Sequence, residues 1–176
     1  MRDLYWQSLS LGSARYKPWL HDHGSLTRRI QQHCKLFSVQ PLRSGLARVA
    51  HDEAALLGFN SSRFAFSREV FLCADGQPVV FAHSTCSLHH SNGAWRAMRG
   101  LGNRSLGTLL FTHPLVLRHP LHFKSLQSHH PLYTRAVRVL GYQPDRLWAR
   151  RSLFSLHNAP LLVTEVFLPQ ILKLSM

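Results

Sequence analysis

Apolar residues crowd two segments on either side of Asp75-Gly76, residues 63–73 and 78–88, and both read as β-strands. Asp and Gly tolerate positive φ, so the pair between them predicts a tight hairpin. A second hairpin is expected from Leu147–Leu156 and Leu161–Leu168, joined through His157-Asn158-Ala159-Pro160. Leu36–Val39 and Leu42–Val49 have strand character, broken near Pro41 and Gly45, and Val116–Leu126 reads as strand interrupted by Pro120. Helical signals fall between these runs. Ser25 reads as the N-cap of a helix over Leu26–His33, and Ser105 as the cap of one over Leu106–Phe111. Shorter helical stretches are expected at 52–57, 94–99 and 132–140. Hairpins with helices between them predict an α+β fold: a single antiparallel β-sheet of about six strands with helices packed on one face.

Two charges break the strand pattern. Side chains of a strand alternate between faces, so Arg68 shares a face with Phe66, Val70 and Leu72, and Glu165 shares one with Leu161, Val163 and Phe167. An unpaired ion on such a face is costly. Two readings are open: the pair serves a ligand, or the two side chains form a buried structural ion pair.

At 176 residues the chain has the length of one domain with a real core, and residues 1–176 are read as one, with 1–13 a loosely ordered lead-in. Hydrophobic residues at 45% and charged residues at 16% are an ordinary folded composition. The net charge of +13 is not ordinary, and it favours an anionic partner: nucleic acid, a membrane surface or a small polyanion. Arginines and lysines are scattered in ones and twos, without the basic blocks of a nucleic-acid arm, so no nucleic-acid partner is expected. No run approaches the roughly 20 apolar residues of a membrane span, and no export signal is read at the N-terminus. Three cysteines, Cys34, Cys73 and Cys86, then read as reduced thiols of a cytoplasmic protein, and a monomer is the default.

The serine caps at 25 and 105 add a candidate anion site. Each places a leucine at the first helical position, and the first amides of a helix lack internal acceptors, which suits a carboxylate. The thirteen histidines read as surface and loop residues: adjacent pairs such as His89-His90 and His129-His130 point in different directions, and no zinc-type spacing is present. No metal site is expected.

The segment Arg68-Glu-Val-Phe-Leu-Cys-Ala-Asp-Gly-Gln-Pro78 resembles the chorismate pyruvate-lyase family, also called 4-hydroxybenzoate synthases. Three further blocks agree in order: Gly24–Arg28, Leu101–Phe111, and Leu147–Ser152 running on to Pro160–Pro169. Together they cover residues 17 to 169. The resemblance implies a lyase that eliminates pyruvate from chorismate to give 4-hydroxybenzoate, the first committed step of ubiquinone biosynthesis, with no cofactor. It implies that Arg68 binds the ring carboxylate, that Glu165 hydrogen-bonds the ring hydroxyl, and that the amides of Leu26 and Leu106 complete the cradle. It also implies helical flaps over an internal ligand site, placed at 17–35 and 93–111. The stretch from Thr112 to Arg146 is longer than in compact members. A non-catalytic sensor of a small aromatic carboxylate is the alternative, since effector-binding domains of transcription regulators share this architecture.

Overall fold

A computed structural model describes residues 6–59 and 64–174 of the chain. The strands are β1 (Phe37–Arg48), β2 (Phe64–Ala74), β3 (Gln77–Cys86), β4 (Leu117–Arg118), β5 (His122–Leu126), β6 (Leu147–Leu156) and β7 (Ala159–Phe167). They form one antiparallel sheet in the order β1-β2-β3-β7-β6-β4, with β5 also paired to β6. The fold is α+β, as expected, with seven strands rather than about six. The seventh comes from Pro120, which divides the run read as one interrupted strand into β4 and β5.

Both hairpins turn where left-handed backbone is available. Asp75 and Gly76 have φ of 49° and 80°, and His157 and Asn158 have φ of 50° and 62°. The second turn is tighter than the four-residue connection expected, because Leu156 already pairs with Ala159. The Asp75 carboxylate accepts the amides of Lys35 and Leu36 at 2.9 and 2.8 Å, which pins the entry to β1. Pro41 does not break β1. The strand lies at the sheet edge, where a missing N–H is tolerated, and only a register shift between Pro41 and Arg43 marks it.

Short helices connect the strands: α1 (Lys17–Leu20), α2 (Leu26–Gln32), α3 (His51–Ala54), α4 (Leu88–Asn92), α5 (Leu106–Thr112) and α6 (Pro131–Ala136). Their distribution corrects the expectation of helices on one face. Trp19, Leu20, Leu26 and Ile30 of α1 and α2 pack on Val70, Leu72, Val80 and Phe167. Leu106 and Leu110 of α5 pack on Phe66, Phe154 and Val163 of the same face. On the other face Leu132, Tyr133 and Ala136 of α6 cover Phe71, Phe81 and Val166, and Ala54 of α3 sits with Ala65 and Leu162. Fully buried central strands need cover on both sides, and β2 and β3 are buried along nearly their whole length.

The described part of the lead-in touches the rest of the chain. Trp6 is buried and its indole N–H donates to the Asp52 carboxylate at 2.7 Å, and Gln7 exchanges backbone hydrogen bonds with Phe123. A tryptophan brings enough apolar area to fix residues that composition alone would leave loose. Residues 1–5 lie outside the described residues.

Candidate active site

Strand register lays out the floor of a cavity. Arg68 on β2 pairs with Ser84 on β3, Ser84 with Val163 on β7, and Val163 with Ser152 on β6. The next row is Val70, Ala82, Glu165 and Arg150. All eight point to the face that α1, α2 and α5 cover, because they are two residues apart on each strand. The enclosed space above this floor is lined by Arg68, Glu165, Leu26 and Leu106, the four residues singled out in the sequence, together with Ser84, Ser152, Arg118 and the rings of Phe111 and Phe154.

Arg68 and Glu165 do not pair with each other. Arg68, a residue 4% exposed, donates from Nη2 to the carbonyls of Gly102 and Arg104, each at 2.9 Å. No carboxylate lies within ion-pair distance of it among the described residues, and burial lowers its pKa from the ordinary arginine value. Glu165 is instead bound by Arg150, whose Nε donates to Oε2 at 2.5 Å. Arg150 is almost wholly buried. Its Nη1 donates to the carbonyls of Trp19, Leu20 and Asp22 at 3.1, 3.3 and 2.7 Å. One arginine therefore holds the candidate carboxylate and the α1 end of the roof together.

The roof is a seam between two helix starts. Ser25 accepts the Arg28 amide and Ser105 accepts the Gly107 amide, which confirms both caps. The side-chain oxygens of Thr27 and Ser105 lie 2.5 Å apart, joining α2 to α5. Gly107 makes this approach possible: a Cβ there would lie 2.9 Å from the Thr27 hydroxyl and 3.3 and 3.4 Å from those of Ser105 and Ser25. The first-turn amides, which have no intrahelical acceptor, belong to residues that face the cavity.

A family model described as chorismate lyase matches residues 3–175. The chain belongs to the chorismate lyase family. It is 53% identical over 164 residues to a protein of Nitrosospira multiformis named "Probable chorismate pyruvate-lyase", spanning 93% of this chain and 91% of that relative. A protein of Methylobacillus flagellatus with the same name is 42% identical over 174 residues, 99% of this chain and 97% of the relative. Among solved structures, the fold is similar to PhnF from Mycobacterium smegmatis, with a TM-score of 0.59 and 11% identity over 85% of this chain and 66% of that one. It is also similar to the C-terminal domain of the histidine utilization repressor from Pseudomonas syringae, with a TM-score of 0.55 and 8% identity over 77% and 93% of the two chains. At such identities the likeness shows the fold alone.

Nothing in the sequence pattern singles out Arg150 and Arg118, although both border the cavity floor or wall. Arg150 stands next to Arg151 in β6, and alternation sends one to each face without saying which. Arg151 goes to the other face, where it donates to Asp52. Arg118 sits in a strand of two residues, too short for any period to show.

The far face carries a polar cluster that the histidine reading also missed. His83 is buried between Glu69, at 3.0 Å from Nδ1, and Glu53, at 3.2 Å from Nε2, with the Thr85 hydroxyl 2.8 Å from Nε2. Arg135 of α6 closes onto Glu69. Burial alone would lower the His83 pKa, but the charge of Glu53 and the hydrogen bonds to both carboxylates raise it to about 9. Glu53 and Glu69 are held below their ordinary value, mainly by His83, against the opposing effect of burial. The cluster fastens α3 and α6 to the sheet and has no part in the cavity.

Proposed function

We propose that the chain eliminates pyruvate from chorismate and leaves 4-hydroxybenzoate. The observation that carries this reading is the meeting, in one cavity of a chorismate lyase family member, of a cation without a carboxylate partner among the described residues, a held carboxylate and two helix starts.

The reaction breaks the ether bond between the ring and the enolpyruvyl oxygen. The ring hydrogen on the hydroxyl-bearing carbon leaves as a proton, the ring becomes aromatic, and the enolpyruvyl methylene gains a proton to give pyruvate. Atoms and electrons balance between substrate and products. Aromatisation drives the step, so the protein's task is to fix one conformation and to stabilise charge on the departing group. In this reading the planar fork of Arg68 takes the ring carboxylate, and the carbonyls of Gly102 and Arg104 hold that fork in place. The amides of Leu26 and Leu106 add donors to the same carboxylate. Glu165, oriented by Arg150, accepts the hydrogen bond of the ring hydroxyl. Excluded water strengthens each of these contacts.

The product serves, on this reading, as the ring precursor of ubiquinone in the cytoplasm, and one domain working as a monomer suffices for the chemistry. Among the described residues no helix is long and apolar enough to cross a membrane. The test is to incubate purified protein with chorismate and to quantify 4-hydroxybenzoate and pyruvate. Equal amounts of both are expected. Saturable binding of 4-hydroxybenzoate without turnover would overturn the lyase reading in favour of a sensor.

A further inference from the structure

The cavity holds more positive charge than one carboxylate requires. Arg150 is neutralised by Glu165. Arg68 and Arg118 are not: neither has a carboxylate within ion-pair distance among the described residues, and both line the same enclosed space. Burial lowers the pKa of Arg118, with Glu165 and Asp22 acting to raise it and Arg150 to lower it. Two such cations in one cavity match a ligand with two negative charges.

Their placement fits as well. Arg68 stands at one end of the row that runs through Ser84 and Val163 to Ser152, and the Nε of Arg118 donates to the Ser152 hydroxyl at 3.0 Å at the other end. Three strand intervals of ~4.8 Å separate the two ends of that row by about 14 Å at the backbone. Both side chains border the same enclosed space between those ends. Arg118 is pre-set for this task. Its guanidinium lies over the Phe111 and Phe154 rings, at 5.3 and 5.5 Å from their centroids, and its Nη1 donates to the carbonyls of His23 and Gly24 at 2.7 and 3.4 Å. Nη2 has no hydrogen-bond partner among the described residues.

We infer that Arg118 receives the enolpyruvyl carboxylate of the substrate and stabilises the departing enolpyruvate. This rests on the chorismate reading above. It has a consequence which that reading alone lacks. The aromatic product keeps only the carboxylate that Arg68 takes, so Arg118 distinguishes substrate from product within one cavity. Arg118 thereby counters product inhibition without loosening the Arg68 end.

The decisive experiment compares wild type with Arg118→Gln and Arg118→Lys. It measures KM for chorismate and, by calorimetry, the affinities of 4-hydroxybenzoate and of 3-(1-carboxyvinyloxy)-4-hydroxybenzoate, an aromatic dianion that cannot eliminate. For Arg118→Gln the dianion affinity and chorismate KM worsen by about 10–100-fold, whereas 4-hydroxybenzoate affinity stays within about 2-fold. Arg118→Lys recovers part of the loss, because it keeps the charge and loses the fork. Equal weakening of both ligands would make Arg118 a structural tie between roof and sheet and would overturn the inference. So would unchanged binding of the dianion. Should wild type bind the dianion through Arg118 yet turn over no chorismate, the inference stands as a binding site and the lyase reading alone falls.

Discussion

The carboxylate of Glu165 is held by Arg150, at 2.5 Å, and not by Arg68. The opposite charges that stand out in the sequence therefore do not cancel each other. One is locked and oriented, and the other has no carboxylate within ion-pair distance among the described residues. Because Arg150 also gathers three carbonyls of the segment around α1, the orientation of Glu165 is tied to closure of the roof. Replacing Arg150 by Ala strands a carboxylate and three carbonyls inside the protein. A loss of about 3–5 kcal/mol of unfolding free energy is expected in chemical denaturation. The Arg150→Ala, Glu165→Gln double variant removes both charges and should recover a substantial part of that loss, while remaining impaired in turnover.

Arg68 should act on affinity. On the proposed reading, its truncation to Ala removes a charge-assisted, two-pronged contact from the ring carboxylate, which substrate and product share. Chorismate KM and the 4-hydroxybenzoate dissociation constant should both rise by about 10–100-fold. Steady-state kinetics and calorimetry read the two values. The Gly102 and Arg104 carbonyls left behind can turn to water, so the fold should survive.

Gly107 is a steric requirement of the seam. A Cβ at 2.9 Å from the Thr27 hydroxyl displaces that side chain, breaking its contact with Ser105, or moves α2 and α5 apart. In Gly107→Ala, product should dissociate faster and bind more weakly in stopped-flow measurements, with a smaller effect on thermal stability.

Stability should depend on pH through His83. Its folded pKa of about 9 lies above the ordinary 6.5, so its contribution is complete below pH 6.5 and disappears as pH rises through 9. Glu53 and Glu69 have the opposite sign: their folded pKa values are depressed, so their contribution is present above about 4.5 and lost on acidification. Unfolding free energy should therefore be greatest between about pH 5 and 6.5 and should fall by a few kcal/mol towards pH 9. Denaturation of wild type and His83→Gln across this range tests the point. The variant should be less stable throughout and should lack the alkaline decline.

Legibility in the sequence followed the length of each element. In β2 and β7 the alternation runs for nine residues or more, and Arg68 and Glu165 could be placed on apolar faces from it. Capping serines marked Leu26 and Leu106 because a cap is a local signal. Arg150 and Arg151 defeated the same logic by standing side by side. The far-face cover was hidden because α3 and α6 have only four and six residues, less than two turns of periodicity. His83 shows a different limit. A histidine in the middle of a strand is read as surface until the two carboxylates that enclose it are brought together by folding.

The central claim is that a small aromatic carboxylate sits between Arg68 and Glu165, beneath the seam of Thr27 and Ser105. A crystal structure with 4-hydroxybenzoate tests it most directly. The account predicts the ring carboxylate against the Arg68 guanidinium and the amides of Leu26 and Leu106, with the phenolic oxygen on the Glu165 carboxylate. Density for the ligand outside this cavity, or a ring reversed so that its carboxylate lies on Glu165, would contradict it.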